Sequence, residues 1–441
     1  MATDEPTWPE LLGSNHWEGL LDPLDLNLRK LILRCGDLCQ ATYDAFNSDQ
    51  NSKYCGSSRY GKSSFFPKVS FPSASDYEVA AFLYATSRID VPQSFLLHSL
   101  SREAWDRESN WIGYIAVTTD QVSQATGRRE IYVAWRGTIR NLEWIDVLDP
   151  HQASIKTLLN PTKQNQPLPL KQQKHHWYEA LFCHHHHHSN YEDADADDDD
   201  DDDDEDEDED EKKPKVMKGW FTIYTSKDPR SPFTQTSART QLLTKIKQLV
   251  TLYKDEDLSI TFAGHSLGAS LSILSAFDLV ENGLTTIPIA AFVFGCPQVG
   301  NKAFNDMIDS FPNLRILHIR NKIDVIPHYP SRLLGYRHSG IELEIDTRKS
   351  PNLKDSKFPG DWHNLQAMLH IVAGWNGEGR EFELKVKRTL ALVNKSCDFL
   401  KDECLVPASW WVEKNKGMLL NEDGDWVLAQ PDDDDMPVPE Y

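Results

Sequence analysis

The sequence predicts an α/β fold in which a mostly parallel central sheet is flanked by helices. Two observations carry this. Short apolar runs alternate with helix-period stretches from residue 237 to residue 375, and that alternation builds crossover-connected strands. One apolar run, 258–264, also passes through the tight turn Gly264-His265-Ser266-Leu267-Gly268 straight into a helix-like run.

The elements follow in order. Residues 16–50 carry apolar residues at three- and four-residue steps and read as helical, whereas 52–75, rich in Ser, Gly and aromatics, reads as loop. Residues 111–120 and 130–138 are apolar stretches around a polar turn, hence a hairpin or two adjacent strands. From about 146 to 215 the pattern dissolves, and order is expected to return at Lys218. Helices are then expected over 237–253, 266–282, 363–375 and 380–396. Strands are expected over 258–264, 289–297, 314–321 and 336–346. The whole chain, 1–441, is read as one catalytic domain. It holds a His/Asp-rich insertion over 160–215, expected to be disordered because a block of like charge has no apolar face to bury. An acidic tail follows at 430–441.

Charge says little about the folded part. The net charge is −22, but the run 192–211 holds 18 acidic residues and no basic one, which leaves −4 over the rest. No basic block is available to displace counterions, so nucleic acid is excluded as the main partner. Seven cysteines, an odd number at sparse spacing, fit free thiols in a reducing compartment. Cys35 and Cys39 share a helix face and read as small buried residues. The N-terminus shows no leader pattern, and no run reaches the roughly 18 apolar residues of a membrane helix. The expectation is a soluble cytoplasmic protein. The histidine run 184–188 and the acidic run are solvated low complexity by default, with cation capture or docking of a basic protein as open alternatives.

Strand, G-x-S-x-G and helix together make the setting of a nucleophile elbow. Glycines at 264 and 268 let strand and helix close without collision. Ser266 is thereby projected above the sheet at a helix N-terminus, where free amides favour developing negative charge. A serine here also suits an ordinary N-cap, but the strand–turn–helix context favours the nucleophile. A serine nucleophile needs a base, and the base needs an orienting carboxylate. Asp324 lies just past the strand 314–321, where an acid loop belongs. His328 is too close to it in sequence, and His338 falls within an expected strand. His363, between a loop and a helix, is the chosen base, with His370 in reserve. The oxyanion is assigned to the amides of Leu267 and Thr138. Gly137 is expected to let this loop approach a ligand, and Arg136 to brace it through an ion pair.

The segments GHSLGAS, AWRGT, RNKIDVIP and DWHNLQAMLH, in this order, resemble the class 3 lipases, and more narrowly the plant class-II phospholipase A1 group. WEGLLDPLDLNLRKLILRCGDLCQATYDAF, IYTSKDPRSPFTQTSARTQLL and NKGMLLNEDGDWVL extend the resemblance over nearly the whole chain. It implies an α/β-hydrolase fold, no metal or cofactor, and hydrolysis of the sn-1 acyl ester of glycerophospholipids at a membrane or droplet surface. It maps nucleophile, acid and base onto Ser266, Asp324 and His363, and a lid onto about 139–180. Galactolipase or mono/triacylglycerol lipase activity with the same triad stays open, as does a non-catalytic acidic scaffold. The His/Asp-rich insert departs from the family pattern. An acidic run beside a lid would repel anionic membranes within a Debye length of roughly 8–10 Å. Gln366 and Met368 also depart from it and leave the pocket shape open.

Overall fold

The computed structural model describes residues 5–138, 150–160, 213–411, 418–420 and 426–428. In chain order the strands used below are β1 (Tyr77–Thr86), β2 (Ser109–Thr118), β3 (Arg129–Trp135), β4 (Gln152–Ser154), β5 (Lys215–Met217), β6 (Leu258–His265), β7 (Ile289–Phe294), β8 (Gly300–Asn301), β9 (Leu314–Asn321), β10 (Tyr336–Arg337) and β11 (Ile341–Ile345). The central sheet has the order β1-β2-β3-β6-β7-β9-β11. Pairing is parallel from β3 to β11, and β2 alone runs against its neighbours. This is the expected mostly parallel sheet of an α/β-hydrolase fold.

Period-two alternation sorts the strand residues into two cores. On β3, Tyr132 and Ala134 face one core, while Ile131, Val133 and Trp135 face the other. On β7, Phe292 and Phe294 oppose Ala291 and Val293 in the same way. The first core is closed by helices Leu26–Asp44 and Leu365–Gly374, the second by Lys218–Thr225, Ala238–Leu252 and Leu267–Glu281. Helix Leu26–Asp44 starts where the Asp25 carboxylate accepts the amides of Asn27 and Leu28 at 2.8 and 2.9 Å. Helix Leu267–Glu281 is buried along its full length, serines included. Ser272 and Ser275 tolerate this because their hydroxyls donate to the carbonyls of Gly268 and Leu271.

Several sequence expectations change. Only Leu26–Asp44 of the 16–50 stretch is one long helix. Strand β1 escaped the sequence reading, since its inner half is apolar without alternation and buried. Residues 120–126 between β2 and β3 form a short helix rather than a plain turn. Order is present at 150–160 and from residue 213, not from 218. There, β4 and β5 pair antiparallel, with Ile155 and Leu158 buried beside them. The single strand expected over 336–346 divides at Gly340 (φ +80), where a Cβ would lie 2.5 Å from Ile316, and its halves join different sheets. Residues 380–396 are not a helix beyond the 3₁₀ turn Leu390–Lys395. Instead the amides of Glu383, Lys385 and Val386 bond the carbonyls of Gly374 and Ala373, which the preceding helix leaves unpaired at its end. The insertion, apart from residues 160 and 213–215, the tail at 430–441, and 139–149 and 161–180 of the expected lid lie outside the described residues. No helix among the described residues is long and apolar enough to cross a membrane.

Candidate active site

Because β3, β6, β7 and β9 run parallel, their C-terminal ends meet along one edge of the sheet, where such folds place ligands. The segments that leave them carry Gly137 and Thr138, Ser266, Gly295, and Asp324.

Ser266 has φ 58° and ψ −127°, a conformation few L-residues adopt. It is held from several sides. Its amide donates to the Phe294 carbonyl of β7 at 3.0 Å. A Cβ on Gly264 would lie 2.1 Å from the Gly268 carbonyl, and one on Gly268 would lie 2.3 Å from that of Trp135. The expectation for the two glycines thus holds, and the strained backbone locates a candidate functional residue.

Asp324 and His363, 39 residues apart, are joined by a 2.6 Å hydrogen bond from Nδ1 to Oδ2. Both are buried. The other Asp324 oxygen accepts the Ile326 amide at 3.0 Å. That fixes the carboxylate and leaves the Nε2 of His363 facing away from it. Nε2 and the Ser266 hydroxyl are both buried without a protein hydrogen-bond partner. Of the two hydrogen bonds a triad requires, the structure therefore contains the one between acid and base. Contacts of the nucleophile with its base commonly tighten only when substrate is present.

His370, the reserve base, is committed elsewhere: its Nε2 meets the Ser350 hydroxyl at 2.8 Å. His338 lies between β10 and β11 rather than within a strand, 3.7 Å from Glu342. It groups with His318 and Glu342, whose polar atoms fall within 4.8 Å of one another. His318 Nε2 accepts the Cys296 amide at 2.9 Å, so its proton sits on Nδ1, facing Glu342. That nitrogen has no lone pair to give a metal, and the group is a polar cluster that runs from buried His318 out to exposed Glu342.

Two expectations for the β3 loop are corrected. Arg136 is fully buried and makes no ion pair among the described residues; it donates to the carbonyls of Trp111, Phe95 and Gly137 and stacks 3.9 Å from the Phe46 ring centre. Burial pushes its guanidinium down to about 9. Gly137 is small because protein, not ligand, approaches it: a Cβ there would lie 1.9 Å from the Tyr43 hydroxyl.

Sequence reasoning also missed two residues. Gly295 (φ +54) lies against the acid–base pair, and its Cβ would come 2.7 Å from His363 Cε1 and 3.1 Å from Asp324 Oδ2. Asn321, the fully buried last residue of β9, donates to the Trp362 carbonyl at 2.7 Å and so anchors the segment just before His363. The FGCP stretch after β7 offered a glycine as a signal for the first. No sequence signal marks the second.

Three buried histidines lie below their ordinary value, chiefly through burial: His265 well below, His318 at about 3 and His370 at about 4. An unfolded chain protonates such rings below about pH 6.5, and the folded chain resists until its lower values. Between those limits the unfolded state binds more protons, so stability falls as the pH is lowered. Thermal denaturation should show a lower melting temperature at pH 5 than at pH 7, with about 2 kcal/mol lost for each of His318 and His370. An unchanged melting temperature would contradict this.

The comparisons with known proteins identify the family. A family model described as lipase (class 3) matches residues 132–334, which takes in the C-terminal half of β3, the elbow and Asp324. Phospholipase A1-IIdelta of Arabidopsis thaliana is 57% identical over 100% of this chain and 100% of its own length. The chain belongs to the plant class-II phospholipase A1 family. Phospholipase A1-II 5 of Oryza sativa subsp. japonica is 50% identical over 98% of this chain and 84% of its own. Among solved structures, a triacylglycerol lipase from Penicillium expansum is 14% identical with a TM-score of 0.40, covering 73% of this chain and 80% of that one. The elbow, acid and base of this phospholipase A1 family member all sit on elements that the full-length relationship includes.

Proposed function

We propose that this protein is a serine acylhydrolase that cleaves the sn-1 acyl ester of glycerophospholipids, with Ser266, His363 and Asp324 as its triad. The observation that carries it is the 2.6 Å Asp324–His363 hydrogen bond beside the strained Ser266. Family membership and the names of the relatives support the substrate class. Asp324 holds the proton on His363 Nδ1, which leaves the Nε2 lone pair to take the proton of Ser266 as it attacks the ester carbonyl. The tetrahedral oxyanion is stabilised by the Leu267 amide, at the start of a helix where amides lack intrahelical acceptors, and by the Thr138 amide. His363 then protonates the leaving glycerol oxygen. Water, deprotonated by the same nitrogen, releases the fatty acid from the acyl-enzyme. Cys35, Cys39, Cys296, Cys397 and Cys404 are free thiols, which supports placement in a reducing compartment such as the cytoplasm.

The test offers the purified protein phosphatidylcholine with distinguishable sn-1 and sn-2 chains, a galactosyl diacylglycerol and a triacylglycerol. We expect sn-1 release from phosphatidylcholine to dominate and to vanish in Ser266→Ala. Dominant sn-2 release, or faster turnover of the galactolipid or triacylglycerol, would overturn the substrate assignment.

A further inference from the structure

We propose that Tyr43 and His265 are positioning residues: together they form a one-directional hydrogen-bond relay that ties the oxyanion loop to the loop carrying the base. The inference rests on the triad assigned above and adds a role for residues that assignment leaves idle.

Four separate elements meet in the relay. Tyr43 is in the last turn of helix Leu26–Asp44, His265 ends β6, Gly137 follows β3, and His363 separates two helices. The Tyr43 hydroxyl lies 2.8 Å from His265 Nδ1, and His265 Nε2 lies 2.9 Å from the backbone carbonyl of His363. A carbonyl oxygen only accepts, so Nε2 carries a proton. Burial and the neighbouring His363 keep His265 neutral, so Nδ1 bears a lone pair and the tyrosine must donate to it. Gly137 packs directly against the same phenol oxygen: a Cβ on it would lie 1.9 Å away. Every donor and acceptor is thereby fixed from Tyr43 through His265 to the carbonyl of His363, with Gly137 packed against the tyrosine end.

The relay acts on both halves of the catalytic geometry. At one end the Tyr43 hydroxyl packs against Gly137, the residue before Thr138, whose amide is assigned to the oxyanion. At the other end it holds the backbone of His363, while the His265 ring lies 4.5 Å from the His363 ring at 33°. A neutral neighbour matters there, because His363 becomes a cation during the reaction and a second cation at that distance would oppose it. The close approach is built in: no side chain fits at Gly137, where a Cβ would also lie 2.6 Å from the His265 carbonyl. Reacting groups displaced by about 1 Å can lose roughly 100-fold in rate, so a brace between two loops has kinetic leverage.

The test uses a soluble short-chain p-nitrophenyl ester, with circular dichroism and melting temperature for each full-length variant. Tyr43→Phe removes the donor and the contact of its hydroxyl with Gly137. His265→Leu removes both ring nitrogens. His265→Gln restores one acceptor and one donor. We expect kcat to fall about tenfold in Tyr43→Phe and about fiftyfold in His265→Leu, with KM within about threefold. The double variant Tyr43→Phe/His265→Leu should be no worse than His265→Leu, because members of one relay are not additive. His265→Gln should recover at least about fivefold over His265→Leu. Unchanged kcat, losses that multiply in the double variant, or no recovery with glutamine would overturn the relay. If His265→Leu does not fold, Tyr43→Phe decides alone: a tenfold loss of kcat supports the relay and an unchanged kcat removes it. Hydrolysis that survives Ser266→Ala would sink the triad itself, whereas hydrolysis lost in Ser266→Ala but intact in the Tyr43 and His265 variants sinks only the relay.

Discussion

Ser266→Ala should reduce ester hydrolysis by roughly 10⁴-fold or more while the protein stays folded. The alanine methyl cannot form the acyl-enzyme, and no other described hydroxyl lies on the same elbow. Stability should not suffer. The wild-type hydroxyl is buried without a partner, so removing it leaves no donor or acceptor orphaned. The backbone strain at φ 58° is the same for serine and alanine. Chromogenic-ester kinetics and thermal denaturation of the same sample check both halves. A variant that retained a tenth of the activity would contradict the nucleophile assignment.

Gly295→Ala should lower kcat about 100-fold with little change in KM for a soluble ester. The added Cβ would sit 2.7 Å from His363 Cε1, 2.9 Å from Nδ1 and 3.1 Å from Asp324 Oδ2. The first two distances are shorter than real carbon contacts allow, so ring or strand must move. Nothing soft is available to yield: Asp324 is held by the Ile326 amide, and the Gly295 amide is bonded to Ile319 at 3.0 Å. The positive φ adds strain of about 1 kcal/mol, visible as a lower melting temperature. Activity within about twofold of wild type would show that the pair tolerates displacement and that its geometry is not limiting.

What the sequence reveals here follows from how local each feature is. The elbow is legible because strand, turn, glycines and helix are contiguous, and each residue type has one steric reason to be there. Asp324 and His363 are legible through chain order and the element boundaries beside them, although only the fold shows that they touch. Tyr43 and His265 lie 222 residues apart, and no periodicity marks a tyrosine in the last turn of a helix as a partner for a strand-ending histidine. Arg136 suggests a charge seeking a charge; the backbone carbonyls of Trp111, near the start of β2, and of Phe95 satisfy it instead. Strand β1 and the stretch 380–396 fail for opposite reasons. The first is buried and lost its alternation, while the second keeps helical spacing but spends its amides on the end of a neighbouring helix.

The most direct measurement is the rate at which a fluorophosphonate labels the protein, with the modified residue located by peptide mass, in wild type and in His363→Asn. A single adduct at Ser266, formed at least about 10³-fold more slowly without the imidazole, is the predicted result. An adduct on another residue, or the same rate in both proteins, would contradict a proton line running from Ser266 through His363 to Asp324.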